Sequence, residues 1–184
     1  MQLKFASRYA KALLDLAQEQ NLLDTIAIDM KTIAATLRQH TDLHLMVKSP
    51  IIYSDKKMAV LNEVFVSVNA LTKSFLQITI QKKREISLLE IAAEFIEQYN
   101  HKNNIVKATL TTAQVADEDT IINVKATITS QLNAKEVQLE TVIDEQIIGG
   151  FVLQYGDKIF DASIQYDLKQ IAKQFEDNAY VAKI

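Results

Sequence analysis

Two histidines, His40 and His44, lie four positions apart in this 184-residue chain and are its best candidates for metal ligands. Residues at this spacing on a helix share one face and could bind zinc together. No third ligand follows in the pattern, and the chain has no cysteine, which excludes disulfides, thiolate nucleophiles and Cys-ligated metal centres. We therefore expect solvated histidines, no metal site, no cofactor and no catalytic residue.

A glycine cluster followed by a lysine is the second candidate, here for phosphate binding. All three glycines of the chain, Gly149, Gly150 and Gly156, fall within eight residues, and Lys158 follows them. A phosphate loop has the pattern GxxxxGK[ST] between a strand and a helix, so that amides at the helix N-terminus face the anion. Here the spacing differs, a strand follows, and no Ser or Thr succeeds the lysine. The cluster does not predict a nucleotide site.

The basic run Lys82-Lys83-Arg84 could contact nucleic acid or lipid headgroups. The formal charge is −3 overall, with 13 basic and 11 acidic residues up to position 104 and 7 basic and 12 acidic residues beyond it. This balance lacks the strong positive charge of a general nucleic-acid binder. The longest uncharged run spans only residues 146–156, too short for a membrane-spanning helix. We expect an intracellular protein that neither binds nucleic acid nor inserts into a membrane, with the basic run at an exposed helix junction.

Helices should position most of these residues, since three glycines and one proline leave few chain breakers. Apolar spacing up to about residue 104 predicts six short helices. The first helix carries Phe5, Tyr9, Leu13 and Leu16 on one stripe, with Ala6, Ala10 and Ala17 beside them. The second carries Ile26, Met30, Ile33 and Leu37. The other four helices span 42–48, 54–65, 71–81 and 86–101, and Ser54 should cap the fourth helix.

The second half is mixed. It has alternating residues typical of a strand at 106–110, a helix at 117–133, further strands at 137–142, 147–155 and 159–164, and a last helix with Leu168, Ile171, Ala172 and Phe175. The predicted fold class is α plus α+β: an N-terminal six-helix bundle, residues 1–104, followed by a small C-terminal α+β domain, residues 105–184, with a β-hairpin.

The hairpin has a predicted register. Gly156-Asp157 fits a two-residue loop, which pairs Tyr155 with Lys158, Leu153 with Phe160, and Phe151 with Ala162. One face should then carry Phe151, Leu153, Phe160, Ala162 and Ile164, and the other Val152, Asp161 and Ser163. Gly149-Gly150 should mark a bulge, a bend or a close backbone approach just before the hairpin.

Residues 149–168, GGFVLQYGDKIFDASIQYDL, resemble the C-terminal signature of the delta subunit of F-type ATP synthases, called the oligomycin-sensitivity-conferring protein in mitochondria. The motif positions are Gly149, Gly150, Gly156, Asp157, Asp161 and Ser163, with Ala162 where the family usually has glycine. ASRYAKALLDLA, residues 6–17, is similar to the first helix of the family, although Ser7-Arg8 stands where Arg-Pro or Arg-Arg is common. Ser49-Pro50, the lysines of the fourth helix and Arg84 occur in family-like order, so the resemblance spans nearly the whole chain.

The resemblance implies a non-catalytic stator subunit of a proton-translocating ATP synthase. Residues 1–104 would bind the alpha/beta catalytic head, and residues 105–184 the C-terminal end of the peripheral-stalk b subunits, so that the head cannot turn with the rotor. The protein would be part of a hetero-oligomer, peripheral to the cytoplasmic face of a bacterial plasma membrane. The alternative is a helical RNA-binding or transcription-associated module, against which the missing basic stripe counts.

The resemblance also implies a groove between the first and fifth helices that receives the N-terminal helix of the alpha subunit. Its candidate residues are Tyr9, Ala12, Leu13 and Leu16 in the first helix, Phe75, Ile78 and Thr79 in the fifth, and Arg84 after it. Spacing alone does not separate a groove from a core, because a stripe such as Phe5, Tyr9, Leu13 and Leu16 is also typical of residues buried inside a bundle.

Overall fold

The computed structural model of the chain describes residues 2–115, 117–132, 134–156 and 158–177, and the side chains from residue 5 to residue 173 within these ranges. The chain divides into two compact units, Met1–Lys102 and Asn103–Ile184, called here the N-terminal and C-terminal units. The division falls two residues before the boundary expected from the sequence.

The N-terminal unit is helical. Its α-helices are α1 (Gln2–Glu19), α2 (Leu23–Gln39), α3 (Thr41–Lys48), α4 (Ser54–Val64), α5 (Ala70–Gln81) and α6 (Leu88–Lys102), with one 3-10 turn at Glu85–Ser87. The predicted cap of α4 is wrong, because Ser54 is its first residue and Tyr53 precedes it without a side-chain capping bond. The sixth predicted helix is divided, since its first turn is the separate 3-10 segment.

Helix α1 buries its alanine side and, from the stripe of larger residues, only Leu13. Its buried residues are Ala6, Ala10, Leu13, Leu14 and Ala17, whereas Leu16 is 45% exposed and Phe5 and Tyr9 are half-buried. The alanines lie toward the core of the unit, and α1 packs chiefly against α6. Small side chains let two helix backbones approach closely, which explains why the alanine side of α1, rather than its larger residues, lies inside.

Two buried polar contacts hold α4, α5 and the 3-10 turn in place. The Asp29 carboxylate of α2 accepts hydrogen bonds from the Asn69 backbone N–H (2.8 Å) and the Thr72 hydroxyl (2.6 Å) at the start of α5. The Lys57 ammonium of α4 contacts the Glu85 carboxylate at 2.8 Å, with 2% of the Lys57 side chain and 10% of the Glu85 side chain exposed. Each contact joins residues at least 28 positions apart, so neither was visible in local sequence patterns.

The C-terminal unit is α+β. Its elements are β1 (Ile105–Thr112), α7 (Glu118–Leu132), β2 (Glu136–Ile143), a 3-10 turn (Glu145–Ile147), β3 (Gly150–Tyr155), β4 (Lys158–Ser163) and α8 (Ile164–Asp177). The sheet order is β2-β1-β3-β4; β1 and β2 are parallel and joined through α7, and the other pairs are antiparallel. The strand predicted from residue 147 begins only at Gly150, because Ile147 lies in the 3-10 turn.

The predicted hairpin register is confirmed. Tyr155 pairs with Lys158, Leu153 with Phe160, and Phe151 with Ala162. Gly156 has φ +54°, as a tight turn requires, and Asp157 lies outside the described residues. Ile164 does not extend the hairpin face, because it is the first residue of α8.

The close backbone approach expected at the glycine pair is confirmed at Gly150, and the bend also includes Ile148. Gly150 has φ +79°, and a Cβ placed on it would lie 2.2 Å from the Ala162 carbonyl oxygen, so only glycine fits there. The second left-handed residue is not Gly149 but Ile148, at φ +66°. A β-branched residue rarely adopts positive φ, so the bend holds local backbone strain.

Candidate partner-binding surfaces

The two histidines do not lie on one helix. His40 separates α2 from α3, so it does not share a helical face with His44. His40 is exposed and His44 is half-buried. Across residues 2–177, apart from the three undescribed positions, no group of three or more His, Asp or Glu side chains is placed to hold a metal ion.

The structure splits the α1 residues predicted for a groove. Ala12 and Leu16 are exposed and Tyr9 is half-buried, so all three offer surface to a partner. Leu13 is 1% exposed and belongs to the core. Leu13 therefore cannot contact a partner directly and can only pack under residues that do.

The α5 residues divide in the same way. Ile78 is 49% exposed, whereas Phe75 and Thr79 are buried. The Thr79 hydroxyl donates to the Phe75 carbonyl oxygen at 2.8 Å, within the helix. Moreover, α5 packs chiefly against α4 and α1 against α6, so α1 and α5 are not each other's main partners.

Arg84 joins the end of α5 to α1. Its guanidinium carbon lies 4.7 Å from the centre of the Phe5 ring, a cation–π distance. Beside this contact is a pocket of about 220 Å³, called here the Arg84 pocket, lined by Phe5, Ala6, Tyr9, Lys83, Arg84, Ile86, Ser87 and Ile91. Sequence reasoning missed Lys83, Ile86 and Ser87 as pocket residues. The basic run predicted an exposed helix junction, but it did not predict that apolar residues would line a pocket beside it.

In the C-terminal unit, an uncharged groove of about 350 Å³ lies between α7 and the hairpin. Called here the α7 groove, it is lined by Thr120, Asn123, Val124, Thr127, Gln131, Phe151, Leu153, Tyr155 and Phe160. Leu153 is buried, whereas Phe160 is 56% exposed although its ring centre lies 6.1 Å from that of Phe151. The hairpin face predicted as apolar is thus only partly covered by α7.

Helix α8 carries a second apolar surface, called here the α8 stripe: Ile164, Leu168 and Ile171. Spacings of four and three place these residues on one helical face, and about half of each is exposed. An amphipathic helix normally buries such a stripe, whereas in α8 it remains half-exposed.

Asp161 and Ser163, from the C-terminal motif, form hydrogen bonds at the turn from β4 into α8. The Asp161 carboxylate accepts a hydrogen bond from the Ser163 N–H at 3.0 Å, and the Ser163 hydroxyl oxygen accepts one from the Tyr166 N–H at 3.1 Å. The second bond is that of a helix N-cap. Asp161 and Ser163 therefore orient α8, and with it the α8 stripe.

Comparisons with known proteins identify relatives of this chain over nearly its whole length. The family model described as ATP synthase delta (OSCP) subunit matches residues 5–175. ATP synthase subunit delta of Christiangramia forsetii is 38% identical over 182 residues, covering 97% of each chain. The Cytophaga hutchinsonii protein of the same name is 39% identical over 175 residues, covering 95% of each. A solved chain of the Toxoplasma gondii mitochondrial ATP synthase hexamer has a TM-score of 0.74 at 20% identity, covering 93% of this chain and 97% of that one.

The fold is that of a protein with one helical unit and one α+β unit. The chain belongs to the ATP synthase delta (OSCP) subunit family. The resemblance carried by residues 149–168 and 6–17 is thereby confirmed. Among the residues that the structure describes, no helix is both long and apolar enough to cross a membrane.

Proposed function

We propose that this chain is the stator link of a proton-translocating F-type ATP synthase and joins the alpha/beta catalytic head to the peripheral-stalk b subunits. The observation that carries the proposal is the family match over residues 5–175, which includes both units. The chain is a non-catalytic subunit: its work is to hold the head against the torque of the central rotor, so that rotation drives ATP synthesis.

The N-terminal unit binds the head. Its six helices act as one bundle, and its partner is the N-terminal helix of the alpha subunit. Exposed Ala12, Leu16 and Ile78 and half-buried Tyr9 support this assignment, because a helix docking in a groove needs apolar anchors at the surface. Leu13, Phe75 and Thr79 are buried, and we assign them to the base of the groove beneath these anchors.

The C-terminal unit binds the C-terminal end of the b subunits. The α8 stripe and the α7 groove support this role, since contiguous exposed apolar surface in a small unit marks an interaction site. Because both interfaces are on one chain, the first contact raises the effective concentration of the second. The subunit belongs to a hetero-oligomer on the cytoplasmic face of the bacterial plasma membrane.

The rival proposal, a helical RNA-binding or transcription-associated module, gains no support from the comparisons. The relatives found over nearly the full length are ATP synthase delta subunits. The formal charge of −3 also provides no general attraction for phosphates.

Coexpression with the cognate synthase subunits tests the proposal. The full-length chain, carrying an affinity tag, should retain both the alpha/beta head and the b subunit. Leu16→Ser with Ile78→Ser should reduce retention of the head and leave b unchanged, whereas Leu168→Ser with Ile171→Ser should do the reverse. A folded wild-type chain that retains neither partner would contradict the stator assignment.

A further inference from the structure

A pocket of about 380 Å³ lies at the end of the C-terminal sheet where β1 and β2 finish and β3 begins. It is called here the Ile148 pocket, and its lining includes Thr112, Val115, Asp117, Ile148 and Gly150. None of these five residues lines the α7 groove, although the pocket adjoins that groove at Phe151. This end of the sheet is therefore a surface of its own, distinct from the α7 groove and the α8 stripe.

The pocket presents aliphatic side chains to solvent. Val115 is 80% exposed and Ile148 is 66% exposed, although the preceding residue Ile147 is buried. Ile143, which pairs with Thr112 in the register of β1 and β2, adds a third exposed aliphatic side chain at the same end. Several exposed aliphatic residues gathered at one end of a small unit are typical of an interaction site.

The backbone holds Ile148 in a defined place at the surface. The 3-10 turn before it is fixed by Asp144, whose carboxylate accepts a hydrogen bond from the Gln146 N–H at 3.0 Å. The Asp144 N–H in turn donates to the Thr112 carbonyl oxygen at 2.9 Å, which ties this turn to the end of β1. Ile148 follows directly with φ +66°, so its position at the surface is kept at a cost in backbone strain.

The charged side chains at this end of the sheet are acidic. Residues 108–124 and 136–157 contain no Lys or Arg. The carboxylates that these segments place near the pocket are Asp117, Glu118, Asp119, Asp144 and Glu145. The dipole of α7 favours the first three, which lie at its N-terminus, but it does not account for the exposed Glu145.

The lysines of the sheet lie at its other end. Lys107 is near the start of β1, Lys135 directly precedes β2, and Lys158 begins β4. Within the part of the chain that the structure describes, Lys169 and Lys173 of α8 form no salt bridge with the carboxylates near the pocket. The sheet thus separates its charges, and the exposed aliphatic side chains are surrounded by negative charge that no described cation pairs with.

We propose that the Ile148 pocket binds a basic amphipathic segment of another protein. An aliphatic side chain of this segment packs against Val115 and Ile148, and flanking Lys or Arg side chains pair with Asp117 and Glu145. Charge complementarity identifies the occupant, because the carboxylates repel an acidic segment and give a purely apolar one no advantage. The inference goes beyond the stator role, which assigns no partner to this end of the sheet and does not depend on the outcome.

The test measures binding of the full-length protein to three short synthetic peptides by isothermal titration calorimetry. The lysine peptide alternates lysine with leucine, the glutamate peptide has glutamate in place of each lysine, and the serine peptide has serine in place of each leucine. Wild-type protein should bind the lysine peptide at least about tenfold more tightly than either of the others. Its advantage over the glutamate peptide should shrink when NaCl is raised from about 50 to about 300 mM.

Variants locate the site. Ile148→Ser should weaken binding of the lysine peptide about fivefold or more, because it removes an aliphatic contact. Ile159→Ser is the matched control: Ile159 is also 66% exposed but lies in β4 near the other end of the sheet, and its loss should change affinity less than about twofold. Glu145→Gln should weaken binding about two- to fivefold, whereas Glu140→Gln, at an exposed carboxylate within β2, should leave it unchanged.

Ile148→Gly separates recognition from folding. Relief of backbone strain should raise the melting temperature of this variant, while its affinity for the lysine peptide falls as it does in Ile148→Ser. A fall in affinity that accompanies a gain in stability cannot come from unfolding.

Three results would overturn the proposal. Equal affinity of wild-type protein for the lysine and glutamate peptides would show that charge does not select the partner. Equal behaviour of Ile148→Ser and Ile159→Ser would place the binding site elsewhere. If wild-type protein self-associates in analytical ultracentrifugation and Ile148→Ser abolishes the association, the occupant is the lysine-bearing end of a second copy and not a separate protein.

Discussion

The two units differ in how completely they bury their apolar residues. In the N-terminal unit one core runs from Ala6 on α1 to Phe95 on α6 and includes residues from α2 to α5. In the C-terminal unit the described core is small: Ala108, Leu110, Val124, Ile128 and Leu153. Phe160 and the α8 stripe remain about half-exposed. The N-terminal unit thus encloses a much larger core, whereas the C-terminal unit leaves Phe160 and the α8 stripe outside its core.

The largest effect should come from breaking the buried ion pair of the N-terminal unit. Lys57→Ala leaves the Glu85 carboxylate buried without its counter-ion and should lower the free energy of unfolding by about 3 to 5 kcal/mol. Urea unfolding followed by circular dichroism measures the loss. The paired replacement Lys57→Met with Glu85→Leu should come close to wild type. If Lys57→Ala is as stable as wild type, the Lys57–Glu85 pair does not stabilise the N-terminal unit.

A somewhat smaller loss should be confined to the C-terminal unit. Gly150→Ala combines a positive φ with a Cβ 2.2 Å from the Ala162 carbonyl oxygen, and should cost about 2 to 4 kcal/mol. Hydrogen exchange should then accelerate in β3 and β4 and stay unchanged in α1 to α6. Gly156→Ala is the control, because a Cβ there meets no atom within 4 Å, and should cost about 1 to 2 kcal/mol from its φ alone. Faster exchange in α1 to α6 would mean that the units do not unfold separately.

Relieving strain should stabilise the C-terminal unit. Ile148→Gly removes a β-branched side chain from φ +66°, and Ile148 is 66% exposed, so little burial is lost. We expect a gain of about 1 kcal/mol, the lower end of the strain held by such residues. The melting temperature measures it. A lower melting temperature would show that the Ile148 side chain contributes more by packing than its backbone costs.

The smallest effect on stability should come from the α8 stripe. Leu168→Ser with Ile171→Ser should change the free energy of unfolding by less than about 0.5 kcal/mol per site, because both side chains are half-exposed. Gln170→Ser, on the same helix but outside the stripe, is the control. A large destabilisation by the stripe variant alone would show that the isolated C-terminal unit already uses this surface, and the contrast between the two units would weaken.

Local patterns predicted the elements well where one signal dominated. The apolar spacing over residues 86–101 predicted a helix, and Leu88, Ala92 and Phe95 on it are buried. The Gly156-Asp157 loop predicted the hairpin register. Local patterns predicted the backbone conformation less well where it depends on a strand that packs against the segment. The glycine pair predicted the close approach of Gly150 to the β4 backbone, but nothing in the local pattern predicted the positive φ of Ile148 before it.

The sequence by itself determined the helical and mixed halves, the hairpin register and the family, because each depends on residue type and spacing along the chain. Only the tertiary structure decided which side of α1 is buried. The stripe containing Phe5 and Leu16 and the stripe of alanines are both apolar, and the close packing of α6 selects the alanines. It also decided the surroundings of Arg84, since its neighbour Glu85 pairs with Lys57, 28 positions away, and the Arg84 guanidinium lies over the Phe5 ring.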